Sequence, residues 1–246
     1  MPHGNTRAPR APVRLAASQD RLTSRTREIE NRMMIAIPRM NRLPAAERGI
    51  TLADFLVPIR VGESLSSRSR HIVLILAGAL LIFLTAQVRI PIPNNPVPIT
   101  GQTFGVLLVG GALGFRRGLA SVALYVLLGV VGLPMFAGGK GGLDVIFAAT
   151  GGYLIGFVLA GAVVGRLAEL GWDRHIGGAL GAMALGNALI YVVAVPWLAV
   201  ATGYSPGKAI ETGFVPFLPG DVAKLILAAV VFPAAWWIVG RRPGER

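Results

Sequence analysis

No cysteine occurs among the 246 residues, which excludes disulfides, iron–sulfur clusters and thiolate chemistry. Histidine is nearly absent too: His3, His71 and His175 are too scattered for an HExxH motif or any metal-ligand spacing. Charge is scarce, at 15% Asp, Glu, Lys and Arg, where soluble domains carry about 25%. Enzyme signatures are missing: no paired carboxylates share a face, and no histidine stands near a serine nucleophile. The run Gly138-Gly139-Lys140-Gly141 invites a phosphate-loop reading and fails it. Pro134 stands where GxxxxGK[ST] needs its first glycine, and Gly141 replaces the Ser/Thr.

What is present is apolar. Hydrophobic residues make up 53% of the chain, with 32 glycines and a mean hydropathy of +0.61. Long uncharged runs identify a polytopic helical membrane protein. Abundant glycine suits it, because small residues let helices approach where water supplies no hydrophobic drive. The formal charge of +12 does not imply nucleic acid, since residues 1–70 hold 13 of the 24 Lys and Arg. A basic tail beside a membrane has anionic lipid as its natural partner.

The chain divides into four parts. Residues 1–50, rich in Arg, Pro, Ala and Ser, read as a disordered cytoplasmic tail. No apolar core follows their basic stretch, so they are not a secretory signal. Residues 51–70 mix apolar and basic side chains and read as an amphipathic interfacial segment, a short surface helix before the first span. Residues 71–240 form the membrane domain, and 241–246 a basic cytoplasmic C-terminus. Six spans are expected at His71–Gln87, Thr100–Leu113, Gly118–Leu133, Val145–Leu167, Ile176–Ala201 and Phe217–Val239. The proline-dense segment from Arg89 to Pro98 reads as extended.

Charge asymmetry orients the bundle. With the N-terminus inside, cytoplasmic segments collect Arg116, Arg117, Arg166, Arg174, Arg241, Arg242 and Arg246, and the opposite face only Arg89, Lys140 and Lys208. Both termini are therefore expected in the cytoplasm. Small-xxx-small pairs at Gly110/Gly114/Gly118, Gly152/Gly156, Gly161/Gly165 and Gly177/Gly181 are candidate helix–helix seams.

Polar anomalies inside the apolar runs mark a site. An ionisable residue at mid-membrane costs about 2.5–3.5 kcal/mol on insertion scales, so it needs a partner or a function. Asp221 and Lys224, three residues apart, point to nearly the same helix face. They form either a self-neutralising pair or a pocket that offers a cation and an anion to a small polar ligand. Asp221 could also be a first-turn cap of the last span. Asn187, midway along the fifth span, can donate and accept at once, toward an amide-like ligand or a neighbouring helix.

Four blocks carry a resemblance: PVPITGQTFGVLLVGGALGFRRG (96–118), YVLLGVVGLPMFAGGKGG (125–142), TGGYLIGF (150–157) and PFLPGDVAKL (216–225). In this order they resemble the BioY family, biotin-binding S components of energy-coupling factor (ECF) transporters. The resemblance covers residues 71–240 and implies an all-α, six-helix S-component fold with the substrate pocket near the outer face. External loops would close over the ligand. Asp221 and Lys224 match the family's PFLPGDxxK block, Asn187 its fifth-span asparagine, Gln102 and Thr103 its QT, and Tyr153 its GYL block. Ala148-Ala149-Thr150 departs from the family's Gly-Pro-Thr, and the first span offers Ala77-Gly78-Ala79 in place of an Ala-xxx-Ala docking stripe.

The implied function is biotin uptake across the cytoplasmic (inner) membrane as a substrate-capture subunit, not an enzyme. ATP would be used by two cytoplasmic ATPases joined through a transmembrane coupling (T) subunit; no cofactor of its own is implied, and no nucleic acid. Lys224 suits the carboxylate of biotin, with Asp221 and Asn187 toward the ureido group or the reverse, and Tyr153 and Phe136 over the apolar ring. Alternatives are a self-sufficient, homo-oligomeric transporter, an S component for another small carboxylate vitamin, and a membrane enzyme, which would lack a nucleophile.

Overall fold

The structure, a computed structural model, describes residues 51–56 and 67–239. The expected tail (1–50), the middle of the interfacial segment and the basic C-terminus (241–246) lie outside the described residues. A short helix α1, Ala53–Leu56, precedes the first span. That span is α2, Ser67–Gln87, and it stops where Pro91 and its neighbours disfavour helical backbone. Strands β1 (Arg89–Ile90) and β2 (Ile99–Thr100) pair antiparallel, so the proline-dense segment is a hairpin.

Helix α3 runs Gln102–Val130 and is broken at Gly114, whose φ of 79° and ψ of −175° lie in a region essentially reserved for glycine. A methyl group on Gly118 would lie 3.0 Å from the Gly110 Cα. In an uninterrupted helix, residues eight apart are separated by about 12 Å. The chain therefore folds back at Gly114, and residues 102–113 and 115–130 are two antiparallel arms. Five helices among the described residues are long and apolar enough to cross a membrane, and this reversal makes the spans six. The sequence reading placed a loop at 114–117; a single glycine turn replaces it, and Phe115 N donates to Glu169 Oε1 across 2.9 Å.

Another boundary also moves. The fourth span does not begin at Val145: a separate one-turn helix α4, Asp144–Phe147, ends at Ala148, whose ψ of 177° is extended. The span itself is α5, Gly151–Glu169. After a 3₁₀ turn at Trp172–Arg174 comes α6, Ile176–Thr202. An unanticipated short helix α7, Pro206–Gly213, lies in the next connection. A second 3₁₀ turn, Val215–Phe217, leads into α8, Leu218–Val239.

Glycine seams hold the bundle. A methyl on Gly110 would lie 2.7 Å from the Gly161 carbonyl oxygen, and one on Gly165 would lie 2.6 Å from Gly114. These close approaches give backbone-to-backbone packing where lipid offers no competing hydrophobic gain. Gly156 meets Ile190 in the same way, and Gly111 seats the Phe232 ring. By contrast, Gly177 has open space around it. In α2, Gly78 and Ala79 turn inward, Gly78 against Ser121, while Ala77 is exposed. Ile72, Leu76, Leu80 and Leu84 of α2 face outward, as a lipid-facing surface must.

The end of the bundle holding the Gly114 turn is locked by α1. Thr51, Leu52 and Ala53 are buried, and Arg117 Nη2 donates to Asp54 Oδ1 at 2.7 Å. The Asp54 carboxyl is held below its usual range: burial opposes this, but hydrogen bonds from Thr51 and the Arg117 charge outweigh it. Beside it, Trp236 Nε1 donates to Asp173 Oδ2 at 2.7 Å while Asp173 Oδ1 has no hydrogen-bond partner among the described residues. Burial raises the Asp173 carboxyl to about 6, with Trp236 and Arg174 opposing.

Candidate functional site

At the other end, three connections converge: the β1–β2 hairpin, the 131–150 segment and the 203–217 segment. They cover a cavity of about 90 Å³ lined by Pro96, Val97 and Pro98 of the hairpin, by Phe136, Ala137 and Lys140, and by residues of α3, α5 and α6. The hairpin can roof the cavity because its prolines need no ladder partners. The glycine-rich segment turns back at Gly138 and Gly139, both with positive φ, and Phe136 N donates to the Lys140 carbonyl at 2.8 Å. That turn buries Phe136 and brings Lys140 to the rim, so the run that resembled a phosphate loop instead places an aromatic ring and a cation.

The walls are aromatic. Tyr153 meets Tyr191 edge-on at 6.2 Å between ring centroids and Phe217 at 6.3 Å, and Phe136 meets Tyr125 at 5.8 Å. A methyl on Gly129 would collide with the Phe136 ring, so that glycine makes the seat for it. Buried Gln102 donates from Nε2 to the Tyr125 hydroxyl and accepts from Thr100 Oγ1 at 3.1 Å. Thr150 lines the cavity just after Ala148-Ala149, and the Ala148 carbonyl accepts from Trp197 Nε1 at 3.1 Å. The segment that departs from the family pattern is thus fastened to α6.

Asp221, Lys224 and Asn187 come together, but behind the wall. Asp221 Oδ2 accepts from Asn187 Nδ2 at 3.0 Å and from the Tyr191 hydroxyl, and Oδ1 lies 3.3 Å from Lys224 Nζ. Lys224 Nζ also donates to the Thr100 carbonyl and to Thr103 Oγ1, each at 3.1 Å. Asp221 is 3% exposed and Asn187 9%. None of these three lines the cavity; Gln102, Thr103, Tyr153 and Phe136 do. The cluster reaches the cavity through Thr103 and Tyr191, whose hydroxyls it orients.

Sequence reasoning missed Arg89, Lys140, Tyr191, Phe157 and Phe217, all cavity-lining. Two signals were available. Tyr191 follows Asn187 by four residues, hence shares its helix face. Arg89 and Lys140 belong to the small set of cations assigned to the outer face. Both are exposed at the rim, while Gln102, Tyr153 and Tyr191 are buried. The cavity therefore has two cations at its exposed rim and an interior lined by aromatic rings and by the neutral hydrogen-bonding groups of Gln102, Thr103 and Tyr191. Such a chamber can bind a small, mostly apolar anion that also carries a neutral polar group. Among the described residues no group of three or more His, Cys, Asp or Glu could hold a metal ion.

The BioY family profile matches residues 60–241. A biotin transporter BioY from Thermotoga maritima is 42% identical over 158 residues, covering 64% of this chain and 92% of that protein. A biotin transporter BioY from Rhizobium etli is 35% identical over 163 residues, covering 63% and 87%. The crystal structure of an S-component for biotin from an ECF-type ABC transporter superposes with a TM-score of 0.64 at 26% identity, covering 70% of this chain and 94% of that one.

Proposed function

Because the chain belongs to the BioY family, we propose that it captures biotin at the membrane as the S subunit of an ATP-driven uptake system. The single observation that carries this reading beyond family membership is the pairing of a cationic rim with an interior of aromatic rings and neutral hydrogen-bonding groups. Biotin has a carboxylate at one end, an apolar chain and thioether ring in the middle, and a ureido group at the other end. Arg89 and Lys140 at the mouth suit the carboxylate, as charge-assisted donors. Phe136, Tyr153, Phe157 and Phe217 suit the ring. The neutral polar groups of Gln102, Thr103 and Tyr191 suit the ureido donors and acceptors.

In this arrangement Lys224, Asp221 and Asn187 act from behind. The Lys224 ammonium already serves three oxygens, so it fixes Thr103 instead of meeting a carboxylate. Asp221 accepts from Tyr191 and leaves that ring oriented toward the cavity. A polar pair held this way inside a membrane avoids the cost of an isolated charge.

The remaining elements of the proposal follow from the same reading. A transmembrane coupling subunit and cytoplasmic ATPases supply the energy, and the chain needs no cofactor of its own. The cavity opens outward from the cytoplasmic membrane with both termini inside, supported by the arginine-rich end at Arg116, Arg117, Arg166 and Arg174.

Calorimetric titration of biotin into the detergent-purified chain, with no partner subunit present, tests the capture role. Tight one-to-one binding is expected, and no heat at micromolar protein would overturn it. Biotin amide, which lacks the carboxylate, tests the mouth. Arg89→Ala with Lys140→Ala should weaken biotin at least 10-fold and leave the amide unchanged.

A further inference from the structure

We propose that Asn95 is a positioning residue for the bound ligand, and that the short helix α7 is the clasp to which it fastens the roof of the cavity. This rests on reading the cavity as the biotin site. The carbonyls of a helix's last turn have no intrahelical partner and sit at the negative end of its dipole. Helix α7 begins on Ser205, whose Oγ accepts from Lys208 N, with Pro206 in its first turn. At its other end two adjacent carbonyls are taken by side chains from two other parts of the cavity. Thr212 O accepts from Asn95 Nδ2 at 2.8 Å, and Gly213 O accepts from the Tyr153 hydroxyl at 2.5 Å.

Asn95 lies within the roof, one residue before Pro96, Val97 and Pro98, which line the cavity. Its Oδ1 accepts from Val97 N at 2.9 Å, which aims the amide before it reaches α7. Among the described residues, the hydrogen bonds of 91–98 are internal to the hairpin except for this one. Tyr153 is a wall residue of the same cavity. Roof and wall are therefore tied to adjacent residues of one helix, and a ligand in the cavity cannot leave past the roof while both ties hold. The residence time of the ligand is set by the Asn95–Thr212 bond.

Two substitutions separate this clasp from a local role in the turn. Asn95→Ala removes both hydrogen bonds. Asn95→Asp keeps the acceptor for Val97 N but cannot donate to the Thr212 carbonyl. Labelled biotin is bound to the full chain in detergent and chased with unlabelled biotin; association is followed separately, and thermal unfolding is the folding control. The expected result is dissociation faster by roughly 5- to 30-fold in both variants, the loss of one partly buried hydrogen bond, with association changed less than about 3-fold and the unfolding midpoint lowered by no more than roughly 2–8 °C. Fast release from Asn95→Ala with wild-type release from Asn95→Asp would show a turn-forming role and overturn the proposal. Wild-type release from both would overturn it as well. If the unsubstituted chain binds no biotin, the reading of the cavity falls, and the clasp as a biotin-positioning device falls with it.

Discussion

Replacing Lys224 with methionine keeps the length of the side chain and removes its charge. The carboxylate it faces, Asp221, is 3% exposed and would then rest on two neutral donors, Asn187 and Tyr191. Removing one partner of a buried pair typically costs about 3–5 kcal/mol, because the remaining charge is stranded. The Thr100 and Thr103 oxygens also lose their donor. Lys224 keeps a fifth of its side-chain surface accessible, which argues for the lower end, about 3 kcal/mol. For a chain of this size about 1 kcal/mol shifts Tm by roughly 2–4 °C, so Lys224→Met should melt about 6–12 °C below wild type in detergent. Adding Asp221→Asn removes the stranded charge while keeping an acceptor for Tyr191. The double variant should therefore melt above Lys224→Met alone, with a coupling of about 2 kcal/mol or more. A Tm within 2 °C of wild type for Lys224→Met, or strict additivity in the double variant, would refute the idea that the pair is a buried structural support. Biotin affinity, measured on the same samples, should fall in both, since Thr103 and Tyr191 lose their orientation.

Other expectations follow from single contacts. Gly114→Ala places a methyl at φ 79°, 2.7 Å from Thr51 Cγ2 and 2.9 Å from Glu169 Oε1, and should abolish the fold-back, seen as loss of monodisperse protein; Gly177→Ala, facing open space, should be neutral. The Asp173 carboxyl at about 6 lies above its unfolded value, so the native state holds the proton more tightly. Stability should then fall as pH rises from about 4 to 6 and level off above; Trp fluorescence should report the same titration through Trp236, and Asp173→Asn should remove both. Trp197→Phe frees the Ala148 carbonyl, and should weaken biotin several-fold through Thr150 with little change in Tm.

Much of the site was legible as residue identity and little of it as arrangement. Asp221, Lys224 and Asn187 stood out because a polar group in an apolar run is costly wherever it ends up. That cost says nothing about which way the group faces, and all three proved to lie behind the cavity wall. The mouth cations Arg89 and Lys140 were visible only as exceptions to the charge bias. Asn95 offered no signal at all, since its partner is a backbone carbonyl 117 residues away.

The sequence alone determined the membrane class and the number of spans. These depend on the transfer of each residue between water and lipid, a property each segment carries by itself. The six-span count survived even though the second and third spans proved to be arms of one helix, because hydropathy counts crossings whatever joins them. Tertiary structure decided the rest. Which glycine reverses the chain depends on what packs against it: Gly114 turns because Gly110 and Gly165 let the backbones meet there. Where the cavity lies, and which charges face it, depends on three loops meeting at one end of the bundle. Contacts of that kind are set by shape between distant segments, which no local pattern encodes.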